Sequence, residues 1–128
     1  MTIAVPDIEA AIAQYRAFLG REPSTRGDTG TMKTAWFDFE ATSLELVQDD
    51  DPDSPVGRFM ARAGGGVYYV ALKTDDPTET VAELREKKIR LVGDPGEGVK
   101  IYNEAFIHPS EASRVLVRIL PLNYRPRE

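Results

Sequence analysis

The chain predicts an α+β fold: two βαβββ repeats forming a curved eight-strand sheet around a cleft, with the helices outside. Three observations carry this expectation. Ile3-Ala4-Val5-Pro6-Asp7, followed by an amphipathic helical pattern, returns as Leu72-Lys73-Thr74-Asp75-Asp76 with a second such pattern, a shift of 69 residues from Asp7 to Asp76. That shift carries Ile12 onto Val81, Ala13 onto Ala82, Tyr15 onto Leu84 and Arg16 onto Arg85. Later, Leu44-Glu45-Leu46 is answered by Val117-Arg118-Ile119 at a gap near 73. Each half thus reads as strand, helix and three strands. One such half cannot cover both its sheet face and its helix; two together enclose a cleft suited to a small molecule.

The elements follow in order. Met1 to Val5 reads as a short strand. Asp7 caps a helix whose apolar positions Ile8, Ala11, Ile12, Tyr15, Phe18 and Leu19 recur at helical spacing, and Gly20 stops it. Residues 23–30 hold a ragged strand and a turn. Thr34 to Phe39 and Thr42 to Val47 are β-branched and aromatic and form a hairpin at Glu40-Ala41. Period two puts Phe37 with Phe39 on one face and Trp36 with Asp38 on the other. Asp49 to Asp53 is a loop, and Ser54-Pro55 opens a short helix ending at Ala63. Gly64-Gly65-Gly66 is a hinge. Gly66 to Thr74 is a strand, Asp76-Pro77 caps a helix burying Val81 and Leu84, with Ile89 as a further candidate, and Ile89–Val92, Asn103–Ile107 and Arg114–Leu120 are strands. The expected organisation is a single domain over 1–128: a first repeat with a linker helix (1–63), a second repeat (64–120) and a tail (121–128).

Composition narrows the function classes. A 128-residue chain with 41% hydrophobic residues supports one real core. No apolar run approaches the roughly 20 residues of a membrane span, and Met1 to Val5 shows no secretion signal. With no cysteine, disulfides and thiolate metal sites are excluded, and the expected location is cytoplasmic. The net charge of −5, with Asp49-Asp50-Asp51 and Asp53 clustered, argues against nucleic acid as a partner. The acidic cluster reads as a solvated loop. Gly64 to Gly66 lacks the Lys-Ser/Thr pair of a phosphate cradle. His108, the only histidine, sits at a turn beside Pro109 and reads as structural.

The chain resembles the vicinal oxygen chelate superfamily (glyoxalase, bleomycin resistance protein, dioxygenase), and within it methylmalonyl-CoA epimerase. The resemblance runs from Met1 to about Leu120. It is carried by Ile3 through Ala11, Ser43-Leu44-Glu45-Leu46-Val47, Asp53 through Phe59, Gly66 through Ala71, and Phe106-Ile107-His108-Pro109 before Val115-Leu116-Val117. Such a family implies a divalent metal held by four side chains on four strands. Carried over residue by residue, the first donor falls before Met1, the second on Glu45, the third on Tyr69 and the fourth on Arg118; a proton-transfer carboxylate falls around Thr34. The resemblance therefore implies one plausible donor of four. Carboxylates and imidazoles bind such ions, and Arg cannot, because it stays protonated. The expectation is a kept fold with the metal site lost and no cofactor.

Glu45, Tyr69 and Arg118 then become the candidate ligand-binding residues, with Trp36 and Tyr68 beside them. Glu45 and Arg118 hold equivalent repeat positions, so a charge-assisted pair across the cleft is expected, with Tyr69 adding its hydroxyl. Read structurally, the trio ties the halves together in place of a metal; read functionally, Arg118 and Tyr69 hold an anionic or carbonyl group. The leading expectation is a metal-free small-molecule-binding protein with its ligand in the cleft between the repeats. One alternative is an epimerase-like isomerase or lyase of altered mechanism, with Glu45 as base and Arg118 with Tyr69 as electrophile. Another is a non-catalytic dimeric relic. A homodimer is expected as the assembly.

Overall fold

The computed structural model describes residues 1–124. Eight strands and three helices make it a mixed α+β protein, as the repeat predicts. The chain forms two compact units, Met1–Tyr68 and Tyr69 onward.

The first unit runs β1 (Thr2–Ala4), α1 (Ile8–Leu19), β2 (Thr25–Asp28), β3 (Met32–Asp38), β4 (Ser43–Asp49) and α2 (Pro55–Ala63), and takes in the first residues of β5 (Gly66–Thr74). Its strand order is β2-β3-β4-β1. β2/β3 and β3/β4 are antiparallel and β1 runs parallel to β4. The Asp7 carboxylate starts α1 by accepting from the amides of Glu9 and Ala10 at 3.0 and 3.2 Å. Gly20 ends it in the left-handed conformation at φ 70°, its N–H bonded to the Arg16 carbonyl. Ile8, Ala11 and Ile12 of α1 pack on Ala35, Phe37 and Leu46 of the sheet. Phe37 and Leu46 are wholly buried, each side chain contributing about 1.5–3 kcal/mol of transfer free energy.

Two aromatic side chains that the sequence pattern groups with buried neighbours are exposed. Phe18 is 67% exposed: by the helical period it lies roughly 80° from the centre of the apolar stripe, and its ring leans on Tyr15 instead. Phe39 shares its face with Phe37 but falls one residue past β3, where it is exposed under the Arg21 guanidinium.

On the other sheet face, Ala4 and Val47 pack with Val56 of α2, joined by Met32, Phe59, Met60 and Tyr68. Ser54 caps α2 through the Gly57 amide at 2.9 Å. The acidic run folds on itself: Asp49 accepts from the Asp51 amide and Asp51 from the Asp53 amide.

The second unit runs from Tyr69 along β5 to α3 (Pro77–Glu86), β6 (Leu91–Val92), β7 (Ala105–Ile107), a 3-10 turn at Pro109–Glu111, and β8 (Leu116–Pro121). Its strand order is β5-β8-β7-β6, with β5 parallel to β8 and the remaining pairs antiparallel. Asp76 caps α3 through the Glu79 amide, and Val81 is wholly buried beneath the helix, which lies against β8. The Ile101 amide donates to Thr78 Oγ1 at 2.8 Å, tying the long connection before β7 to the start of α3.

Three strands of this unit are shorter than predicted. β8 starts at Leu116 because Ser113 and Arg114 turn left-handed, at φ 53° and 72°, a region no strand contains. β6 is confined to Leu91–Val92, and β7 begins only at Ala105. The tail does not leave the fold at Pro121. That residue ends β8, the Leu122 amide donates to the Thr74 carbonyl at 3.1 Å, and Tyr124 turns back on the unit. Residues 125–128 of the predicted tail lie outside the described residues.

Candidate functional site

Strand register places the candidate residues. In the first unit, Trp36, Glu45 and Thr2 stand side by side on β3, β4 and β1. Period two turns all three away from the α1 core, which takes Ala35 and Leu46. Glu45 is 9% exposed, and Thr2 Oγ1 donates to its Oε1 at 2.7 Å. A buried carboxylate needs such donors to offset its lost hydration. Asp38 lies two residues further along the same face of β3 and accepts from Ser43 Oγ at 2.7 Å. Thr34, where the resemblance puts a proton-transfer group, stands opposite Val47 and offers only a hydroxyl.

In the second unit, Ala71, Arg118 and Phe106 form the matching row on β5, β8 and β7. Thr2 faces Glu45 in one parallel pair, and Ala71 faces Arg118 in the other. Thr2 maps onto Ala71 by the 69-residue repeat, so Glu45 and Arg118 are the same station of the duplicated unit, with opposite charge.

Arg118 is engaged on every donor edge by neighbours of its own unit. Its Nη1 donates to the Tyr69 hydroxyl at 3.0 Å and its Nη2 to the Tyr124 hydroxyl at 2.8 Å. Its Nε and Nη2 both meet Glu104 Oε2 at 2.5 Å. The guanidinium carbon lies 5.4 Å from the Tyr69 ring centroid and 5.0 Å from that of Tyr124. Burial pulls the guanidinium pKa down, but Tyr69, Glu104 and the Tyr124 hydroxyl outweigh it and the net direction is up. The group is a fixed cation held between two phenols.

Tyr69 and Arg118 meet within the second unit, and the carboxylate on Arg118 there is Glu104, a residue the sequence did not single out. Tyr68, one residue earlier and on the opposite face, packs instead with the α2 cluster, its ring 5.3 Å from that of Phe59. His108 caps the 3-10 turn, its Nδ1 accepting from the Ser110 amide at 3.0 Å. Sequence reasoning missed Thr2, Glu104 and Tyr124. Thr2 was accessible through the parallel register, since it is the residue that a β1/β4 ladder sets beside Glu45.

The donor set at the implied metal positions does not fit a divalent ion. Glu45 offers oxygen, Tyr69 a phenol and Arg118 a cation. Among the described residues, no three His, Cys, Asp or Glu side chains come together as a metal-binding group. No helix among them is long and apolar enough to cross a membrane.

Comparison with known proteins places the chain. A model of the glyoxalase/bleomycin resistance protein/dioxygenase superfamily matches residues 1–106. The mitochondrial methylmalonyl-CoA epimerase of Bos taurus is 32% identical over 124 residues, 93% of this chain and 70% of that protein. The ethylmalonyl-CoA/methylmalonyl-CoA epimerase of Cereibacter sphaeroides is 30% identical over 125 residues, covering 93% of this chain and 92% of its own. A solved structure of a Streptomyces coelicolor methylmalonyl-CoA epimerase variant, in complex with 2-nitronate-propionyl-CoA, superposes with a TM-score of 0.74 at 26% identity, over 96% of this chain and 94% of that one. The chain belongs to the glyoxalase/bleomycin resistance protein/dioxygenase superfamily and is similar to its methylmalonyl-CoA epimerases.

Proposed function

We propose that this protein binds an acyl-CoA thioester without a divalent metal, and that Arg118 takes the anionic or carbonyl head of the acyl group. The carrying observation is the Arg118 cluster: a fixed guanidinium, steadied by Tyr69 and Tyr124, at the station where the resemblance implies an acidic metal ligand. An arginine there reverses the local charge and supplies what a Lewis acid otherwise provides to an oxygen, a positive partner with directed donors. The CoA-thioester class is supported by the similarity to epimerases, one of which is solved with such a ligand.

The test is calorimetric titration of chelator-treated protein with methylmalonyl-CoA and propionyl-CoA. Binding of methylmalonyl-CoA that survives chelation and falls more than about tenfold in Arg118→Ala supports the reading, a loss equal to about 1.4 kcal/mol. Stoichiometric divalent metal resisting chelation, or affinity indifferent to Arg118, overturns it.

The identity to the epimerases favours a second reading, isomerase chemistry on the same ligand class. Epimerisation exchanges the proton next to the thioester carbonyl. Incubation with methylmalonyl-CoA in heavy water separates the two readings. Deuterium at that carbon, above the rate without protein, establishes chemistry; its absence leaves binding alone.

A further inference from the structure

We infer that Glu104 is an internal stand-in for the ligand's carboxylate, occupying the Nε/Nη2 edge of Arg118 until an incoming anion displaces it. The inference rests on the proposed role of Arg118 and names the step by which that seat is filled.

The edge is the key. A guanidinium offers a carboxylate two parallel donors along Nε and Nη2, and the strong arrangement uses both carboxylate oxygens. Glu104 puts a single oxygen, Oε2, against both donors. It neutralises the cation without the fork-to-fork geometry that a better-placed carboxylate would have. Exposure points the same way. The Glu104 side chain is 39% accessible and that of Arg118 only 15%, so in any exchange the glutamate has water to move into and the arginine does not.

The backbone also permits exchange. Glu104 is the last residue before β7, in a stretch without regular structure. The stretch is pinned upstream by the Ile101 amide on Thr78 and downstream by the β7/β8 ladder. Between these anchors Tyr102 is 71% exposed. Glu104 can thus rotate outward without unpicking a strand. Tyr69 and Tyr124 meanwhile keep the guanidinium in place through Nη1 and Nη2 and through both ring faces. The seat is held from three sides, and its exchangeable side is the one that carries a charge.

An internal competitor weakens ligand binding by its own affinity for the site. A partly exposed ion pair is a weak competitor, so its removal raises affinity only modestly. In Glu104→Gln, methylmalonyl-CoA, whose acyl group carries a free carboxylate, should bind about threefold or more tighter. Propionyl-CoA, which lacks that carboxylate, should gain less. The gain should vanish in Glu104→Gln combined with Arg118→Ala. Unchanged or weaker binding of methylmalonyl-CoA in Glu104→Gln overturns the inference and leaves the proposed function standing. If the wild-type protein binds neither thioester, the proposed function fails, and a ligand-free readout then decides the inference. Phenylglyoxal labelling of Arg118, followed by peptide mass spectrometry, should run at least about threefold faster in Glu104→Gln, and an unchanged rate overturns it.

Discussion

Tyr69 and Arg118 meet diagonally across a parallel strand pair. Tyr69 stands opposite Leu116 and Arg118 opposite Ala71, yet Arg118 Nη1 reaches the phenol oxygen at 3.0 Å. Two residues of offset on one sheet face are bridged by the length of the arginine side chain. The contact therefore depends on register more than on either residue alone.

Arg118→Lys keeps the charge but loses the fork and the flat face between two rings. It should retain most of the fold and lose most of the affinity for methylmalonyl-CoA. Arg118→Ala should also lower stability by about 1.5–3 kcal/mol in urea denaturation, the range for hydrogen bonds to a charged group, with the partly exposed Glu104 contributing least.

Thr2→Val keeps the shape of the side chain and removes the hydroxyl that donates to Glu45 Oε1. A buried carboxylate then loses a donor, and stability should fall by about 1–3 kcal/mol. Thr2→Ser should recover most of the loss. Urea denaturation of the three proteins side by side checks both statements.

Gly57 lies in α2 where a β-carbon would stand 2.0 Å from the Asp51 carbonyl oxygen and 2.9 Å from the Pro52 α-carbon. Both obstacles are backbone and cannot rotate away. Gly57→Ala should destabilise the protein by about 1–3 kcal/mol or more, despite alanine's better helix propensity. A melting temperature equal to wild type would show that the acidic loop yields without cost.

The Arg85 guanidinium, helped by the Gly96 amide, holds the Asp94 carboxyl down to about 2 from an ordinary value of 3.8. A depressed carboxyl stabilises the folded state above its unfolded pKa and loses that contribution as pH falls through the folded one. NMR titration should place the Asp94 midpoint near 2 in the wild type. In Arg85→Gln the midpoint should rise toward 3.8. The accompanying loss of acid stability belongs to the window between these two values.

Much of the fold was legible because the duplicated signals are local. Asp7 and Asp76 are both helix caps, Gly20 and Gly64 both close helices, and Ser54-Pro55 opens α2 as its residue types demand. The equivalence of Glu45 and Arg118 followed from the repeat alone. The partners of Arg118 were not legible in the same way. Glu104 lies in a connection without period, and Tyr124 lies beyond the last strand, so no spacing ties either to β8. The start of β8 was overcalled because composition says nothing of left-handed residues such as Ser113 and Arg114, which delay the strand to Leu116. Phe18 was grouped with the apolar stripe by its helical spacing, but it falls at the edge of that stripe and stays in water.

β5 seats Tyr68 against α2 and turns Tyr69 toward Arg118, so neighbouring phenols serve opposite faces of one strand. Inserting or deleting a single residue between 66 and 68 would exchange their sides, burying the wrong ring in each place. A length change there that the preceding glycines do not absorb should therefore be tolerated less well than a conservative substitution at either tyrosine.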